Sequence, residues 1–268
     1  MIKKNETLVY SAIGVAALFF ILVAVNFLIA QRPVRLAALP AEVPADDVLQ
    51  PGGAAGAAYV VVRQDLPGWV PLGVGGDDLA LLGADAGTSP ALVLGPPRSG
   101  RTATLRFLAR WAAQQGRPVL AFAPGGGALA TDLGGAAVVG TDAEPASVVE
   151  QVRALPDGAL VLVDDAEQLK EGPLAPVLLA VVRQGRDRGF ATVVAGGTAE
   201  LSSGFSGWVV EARKGRKGLL LSPQEALQAD VFGARVARTA LVARVTPGRG
   251  VLFAGDGDQV LVQVPLVR

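Results

Sequence analysis

Residues 95–102 read Gly95-Pro96-Pro97-Arg98-Ser99-Gly100-Arg101-Thr102: a glycine, four residues, a second glycine, a basic residue and a hydroxyl. This is the spacing of a phosphate-binding loop. Backbone N–H groups and the positive end of a following helix surround the anion there, and the hydroxyl ligates Mg2+. A second constellation follows about sixty residues on. Leu160-Val161-Leu162-Val163-Asp164-Asp165 is a short apolar run ending in two carboxylates, and such a strand delivers its acid to the C-terminal edge of a sheet. Asp164 would hold the magnesium shell, and Asp165 or Glu167 would act on the attacking water. Alone, the first motif also fits a Gly/Pro turn and the second a solvated strand end. Together, in an alternating β/α pattern, they point to a nucleotide, ATP with Mg2+.

Both motifs need elements to hold them in place. Ala91-Leu92-Val93-Leu94 is the kind of fully apolar run that is buried in a parallel sheet, and it leads straight into the loop. After the loop, residues 104–115 put Leu105, Leu108, Ala109 and Ala112 on one helical face. Residues 70–77 and the following Leu79-Ala80-Leu81-Leu82 read as a β-hairpin ahead of that first core strand. Gly125-Gly126-Gly127 after Val119-Leu120-Ala121-Phe122 reads as a loop at a strand's C-terminal edge. The expected fold is α/β: a mostly parallel sheet with helices on both faces, closed by C-terminal β segments.

Two departures bear on activity. Arg101 stands where the motif has lysine, and a planar, forked guanidinium does not take up the compact position of an ammonium beside the transferred phosphoryl group. Asp165 is one methylene shorter than the glutamate usual after the magnesium-binding acid, and Glu167 lies two residues further on. Binding without efficient hydrolysis is the expectation.

The rest of the composition narrows the chemistry. The 268 residues contain no cysteine and no histidine, which removes disulfides, thiolate or imidazole metal sites and Ser-His or Cys-His nucleophiles. With 24 basic and 24 acidic residues there is no global field for nucleic acid. A local basic stretch runs from Arg213, Lys214, Arg216 and Lys217 to Arg235, Arg238, Arg244 and Arg249. No aromatic residues interleave with its leading cluster, so it reads as a solvated face before a DNA surface. Residues 8–30 are almost continuously apolar, long enough for one membrane-spanning helix, and end without a small-x-small cleavage site. The expected organisation is an N-terminal transmembrane anchor over 1–36, a flexible Pro/Gly/Ala linker over 37–58 and a nucleotide-binding domain over 59–268. That makes a single-pass protein of the cell membrane with the domain in the cytoplasm, where ATP is.

Residues 181–190, with Arg183, Arg186, Arg188, Gly189 and Phe190, followed by Ala191-Thr192-Val193-Val194-Ala195-Gly196, resemble the segment after the second nucleotide motif in FtsK/SpoIIIE-type P-loop ATPases. Gly218-Leu219-Leu220-Leu221-Ser222-Pro223, Thr246-Pro247-Gly248-Arg249-Gly250-Val251-Leu252 and the closing Gln259-Val260-Leu261-Val262-Gln263-Val264-Pro265 look like the end of the ATPase modules in EccC-type motors of type VII secretion. The polar sensor of those translocases is replaced here by Gly196-Gly197-Thr198-Ala199-Glu200. The N-terminal apolar segment is similar to the anchor of GldG-type ABC-transporter accessory proteins. The resemblance implies a RecA-like P-loop NTPase, closest to the degenerate downstream modules, that binds ATP with weak or no hydrolysis and serves a larger secretion or translocation motor. An active ATP-driven translocase of DNA or protein and a scaffold that binds no nucleotide are the alternatives.

Overall fold

The computed structural model describes residues 38–49, 66–126, 129, 130, 133, 137–255 and 257–267. The apolar run at 8–30 and residues 51–65 lie outside them. Among the described residues no helix is long and apolar enough to cross a membrane.

The strands are β1 (Val43–Pro44), β2 (Trp69–Gly75), β3 (Ala80–Asp85), β4 (Ala91–Leu94), β5 (Val119–Phe122), β6 (Ala137–Val139), β7 (Leu160–Val163), β8 (Ala191–Gly196), β9 (Gly218–Leu221), β10 (Arg249–Phe253), β11 (Gln259–Gln263) and β12 (Pro265–Leu266). Ten of these join one sheet in the order β3-β2-β11-β10-β9-β4-β8-β7-β5-β6. The six from β9 to β6 run parallel, as the fully apolar strand sequences imply. The other four extend the sheet antiparallel, and they include the expected hairpin, β2 against β3.

Side chains alternate across this sheet and so feed two cores. Ala91, Val93, Leu160, Leu162 and Val193 face the helix Arg101–Gln114, with Leu105, Phe107, Leu108 and Trp111. Leu92, Leu94, Val161, Val163 and Val194 face the helices Ala175–Gln184 and Trp208–Arg213, through Leu178, Trp208 and Val209. Trp208 is 1% exposed, and its Nε1–H donates to the Leu169 carbonyl at 2.7 Å. Trp208→Phe keeps most of the packing but strands that carbonyl, so a loss of about 1–3 kcal/mol in chemical denaturation is expected. An unchanged midpoint would mean the carbonyl is satisfied another way.

The helix after the loop buries more than the expected face, since Phe107 and Trp111 are covered as well. Part of that cover comes from residues 38–49, within the stretch read as a tether. Val43 and Pro44 pair in parallel with Pro265 and Leu266, and the short helix Ala45–Leu49 buries Ala45 and Val48. Asp46 accepts a hydrogen bond from Arg110 on the helix, and the carbonyls of Leu39 and Pro40 accept from Arg249. A two-residue strand has no periodicity to read, and its partner lies at the other end of the chain.

Candidate functional site

Strand β4 ends at Leu94, level with Gly196 of β8, and β8 in turn lies beside β7 with Val194 opposite Val163. The C-terminal ends of β4, β8 and β7 therefore form one edge. It carries the loop 95–102, the turn at Gly197 and the acids Asp164 and Asp165.

The loop bends as an anion cradle requires. Gly100 has φ +108°, and a Cβ there would lie 3.0 Å from the Gly248 nitrogen, so glycine is needed for backbone and neighbour alike. Arg98 also sits at positive φ, 64°. Pro96 and Pro97 have no N–H to offer an anion. Ser99 donates its N–H to the Pro96 carbonyl and accepts from the Gly248 N–H at 2.8 Å, which ties the loop to the turn before β10. The first amides of a helix have no partner within it. The Thr104 N–H is satisfied by the Gly100 carbonyl, which leaves those of Arg101, Thr102 and Ala103 at the helix mouth. Ser99 is fully buried, and its hydroxyl has no partner among the described residues.

The second motif meets the first directly. The Thr102 hydroxyl donates to Asp164 Oδ2 at 2.9 Å, and the Asp165 N–H donates to Asp164 Oδ1 at 3.0 Å. Asp164 is 6% exposed. Burial pushes its carboxyl above the usual carboxylate range, and the neighbouring Asp165 pushes the same way. The hydrogen bonds from Thr102 and Asp165 and the Arg101 charge offset this only in part.

Arg101 is held by the acids of the second motif. Its Nη1 donates to Glu167 Oε1 at 3.1 Å and its Nη2 to Asp165 Oδ1 at 3.3 Å, and the side chain is 14% exposed. Asp165 reaches it from a left-handed backbone, φ 41°, a conformation that aspartate tolerates better than glutamate does. That is a local reason for the shorter acid. The second oxygen of Glu167, Oε2, accepts the Gly197 N–H at 3.2 Å.

All the residues expected at the site are thus brought to one place, from Gly95 to Thr102 with Asp164, Asp165 and Glu167. The sequence reading did not foresee the Gly197 amide, the turn at 246–248 behind the loop, or the unpartnered Ser99 hydroxyl. The glycine pair was visible as a lost sensor, but its contact with Glu167 depends on a chain reversal that no spacing reveals. A Mg-nucleotide fits this donor set. Unpaired amides and an arginine suit phosphate oxygens, and a hydroxyl beside a buried carboxylate suits a hard cation that keeps water and phosphate in its shell. Among the described residues no cluster of three acids could cage a metal unaided.

Other features lie elsewhere. A cavity of about 550 Å³ is lined by Trp69, Trp111, Arg117 and Asp157 at the far end of the 14-residue helix, roughly 20 Å from Thr102 at 1.5 Å per residue. In the basic stretch, Arg213 donates to the carbonyls of Ser202 and Gly204, Lys214 pairs with Glu211, and Lys217 is buried against the Thr88 hydroxyl. These cations serve the fold. Arg249 is tied to the carbonyls of Leu39 and Pro40.

No family model matches the sequence, and no curated protein matches it. Solved structures do. ATPases 2 and 3 of EssC from Geobacillus thermodenitrificans align over 86% of this chain and 45% of theirs, with TM-score 0.65 and 18% identity. The cytoplasmic domain of the Thermomonospora curvata type VII secretion ATPase EccC aligns over 86% of this chain and 28% of its own, with TM-score 0.61 and 18% identity. A structure described as an ATPase aligns over 86% and 97%, with TM-score 0.61 and 22% identity. The chain spans less than half the length of the EssC and EccC chains. Its fold is the one shared by these ATPase domains of EssC and EccC.

Proposed function

We propose that this chain is a membrane-anchored, ATP-binding module of the FtsK/EccC type, with weak or no hydrolysis, serving a secretion or translocation system. One observation carries the nucleotide reading: the Thr102 hydroxyl and the buried Asp164 carboxylate are in contact at the mouth of a helix whose first amides are unpaired. In this reading the amides of residues 101–103 and the Arg101 guanidinium hold phosphate, and Thr102 and Asp164 hold the magnesium shell. Bound Mg2+ would neutralise phosphate charge and bridge its oxygens. Low turnover follows from the side chains that would have to act on water. Asp165 is one methylene shorter than the usual glutamate, Glu167 lies two residues further on, and Arg101 stands where the motif has lysine. The membrane anchor rests on the apolar run at 8–30, and the cytoplasmic side follows from the nucleotide reading, since ATP is there. The larger motor rests on the fold shared with EssC and EccC.

Calorimetric titration of the full-length chain in detergent with Mg-ATP, alongside a phosphate-release assay, tests this reading. Saturable binding with turnover below about 1 per second, the low end for working enzymes, is the expected result. No heat of binding at millimolar nucleotide would favour the scaffold. Fast turnover that disappears in Asp164→Ala would favour the active translocase.

A further inference from the structure

Two oddities of this sequence, arginine in place of the loop lysine and a glycine pair in place of the polar sensor, meet at one side chain. Glu167 holds Arg101 with Oε1 and the Gly197 N–H with Oε2. The glycines make that possible. A Cβ on Gly196 would come within 2.5 Å of Glu167 Oε2 and within 2.2 Å of the Leu201 side chain, so a larger sensor residue there would push the carboxylate away. Arginine suits the arrangement as well, because its forked guanidinium offers Glu167 and Asp165 a separate nitrogen each. Next to this turn the Thr198 hydroxyl is buried and has no partner among the described residues.

The segment beyond the turn is pinned from the Glu167 side. The 3-10 turn Ala166–Leu169 leads to Lys170, whose ammonium donates to the Glu200 and Ser203 carbonyls and to the Ser203 hydroxyl, and the Leu169 carbonyl accepts from Trp208. Between Ser203 and Trp208 the chain turns through Gly204 and Gly207, both at positive φ, and presents Phe205 fully to solvent. Whatever moves Glu167 therefore acts on the base of this loop.

Resting on the nucleotide reading above, we infer that Arg101 and Glu167 form a latch operated by the nucleotide's polyphosphate. Glu167 and the phosphates compete for one guanidinium. Without nucleotide, Arg101 bridges Asp165 and Glu167, and Glu167 clamps the Gly197 amide. When polyphosphate binds, Arg101 turns to it and Glu167 loses its cation. The carboxylate, repelled by the phosphates, then releases Gly197, so that occupancy of the site is transmitted to residues 197–207. Glu167 is a positioning residue here, and it acts through Arg101 and Gly197.

The test uses the full-length chain. Amide hydrogen exchange followed over residues 196–203, with and without saturating Mg-ATP, is expected to show faster exchange at Gly197 in the ATP complex and no change with AMP, which lacks the polyphosphate. Calorimetry adds a second readout. Glu167→Gln weakens the competitor and is expected to tighten ATP binding about tenfold, one charge-assisted hydrogen bond's worth of competition. The gain should vanish in an Arg101→Ala background. Simple relief of charge repulsion would instead persist there. Asp165→Asn, which opens the other half of the bridge, gives the same readout should Glu167→Gln fold poorly. ATP binding with unchanged Gly197 exchange, or with a Glu167→Gln gain that survives Arg101→Ala, would overturn the latch and leave the nucleotide site standing. Absence of ATP binding in the unmodified chain would overturn both.

Discussion

Asp164→Asn is expected to weaken Mg-ATP binding by roughly 10–100-fold, as for loss of a group that holds a metal's shell, and at the same time to stabilise the nucleotide-free chain. Both effects come from one placement. The carboxylate is buried beside Thr102, where it can share a cation, and burial without one raises its proton affinity. The raised value fixes the direction in pH. The folded chain binds this proton more tightly than the unfolded chain, so stability falls as pH rises from the ordinary carboxylate value through the raised one. The full penalty is present above it. Asparagine carries no charge, its amide oxygen can keep the Asp165 N–H, and its NH2 can donate to a Thr102 hydroxyl that turns to accept. The variant should therefore gain on its parent across that window and remain about 0.5–2 kcal/mol more stable at neutral pH, the usual size for relief of a strained functional group. Denaturation midpoints against pH for the two chains measure this. Parallel profiles would mean that Asp164 is not buried as a charge.

Gly218→Ala is expected to have the largest effect on the fold itself. Gly218 begins β9 at φ +138°, and a Cβ there would stand 2.0 Å from the Leu92 carbonyl oxygen and 2.5 Å from its nitrogen. Leu92 is the second residue of β4, which carries the phosphate loop, and it is paired with Gly218. No flexible side-chain end can give way, because the three nearest atoms are all Leu92 backbone in the middle of the sheet. Strain at the dihedral adds about 1–3 kcal/mol and overpacking about 1–3 kcal/mol more, a large part of the 5–15 kcal/mol that holds a typical domain together. Loss of cooperative unfolding, or a midpoint lowered by that amount, is the expected reading in urea. A variant that melts with its parent would show that β4 and β9 do not meet in this register.

Much of the site was legible in the sequence because its parts are local. A buried apolar run, a glycine-framed loop and an amphipathic helix follow one another from Ala91 to Gln114, and Asp164 follows its own apolar strand directly. The fold class follows from the same alternation. What could not be read was direction. The sequence shows a charge at Arg101, Asp165 and Glu167 but not that these three engage one another, since that depends on β8 entering between β4 and β7 and on the left-handed turn at Asp165. Nor does it show that residues 38–49 lie along the helix of the phosphate loop. The contacts of Val43 and Pro44 with Pro265 and Leu266 join distant parts of the chain through elements too short to have a period. Nor could the roles within the basic stretch after Glu211 be read, since Lys217 is buried against Thr88 whereas Arg213 holds the carbonyls of Ser202 and Gly204 at the surface.

The central claim is that residues 95–102 and Asp164 together enclose the phosphates and magnesium of one nucleotide. An experimental structure of the chain with Mg2+ and a slowly hydrolysed ATP analogue measures this most directly. The expected result is phosphate density against the amides of residues 101–103, with the cation beside the Thr102 hydroxyl and the Asp164 carboxylate. Phosphates bound elsewhere, or a loop still closed around Arg101, Asp165 and Glu167 at saturating nucleotide, would contradict it.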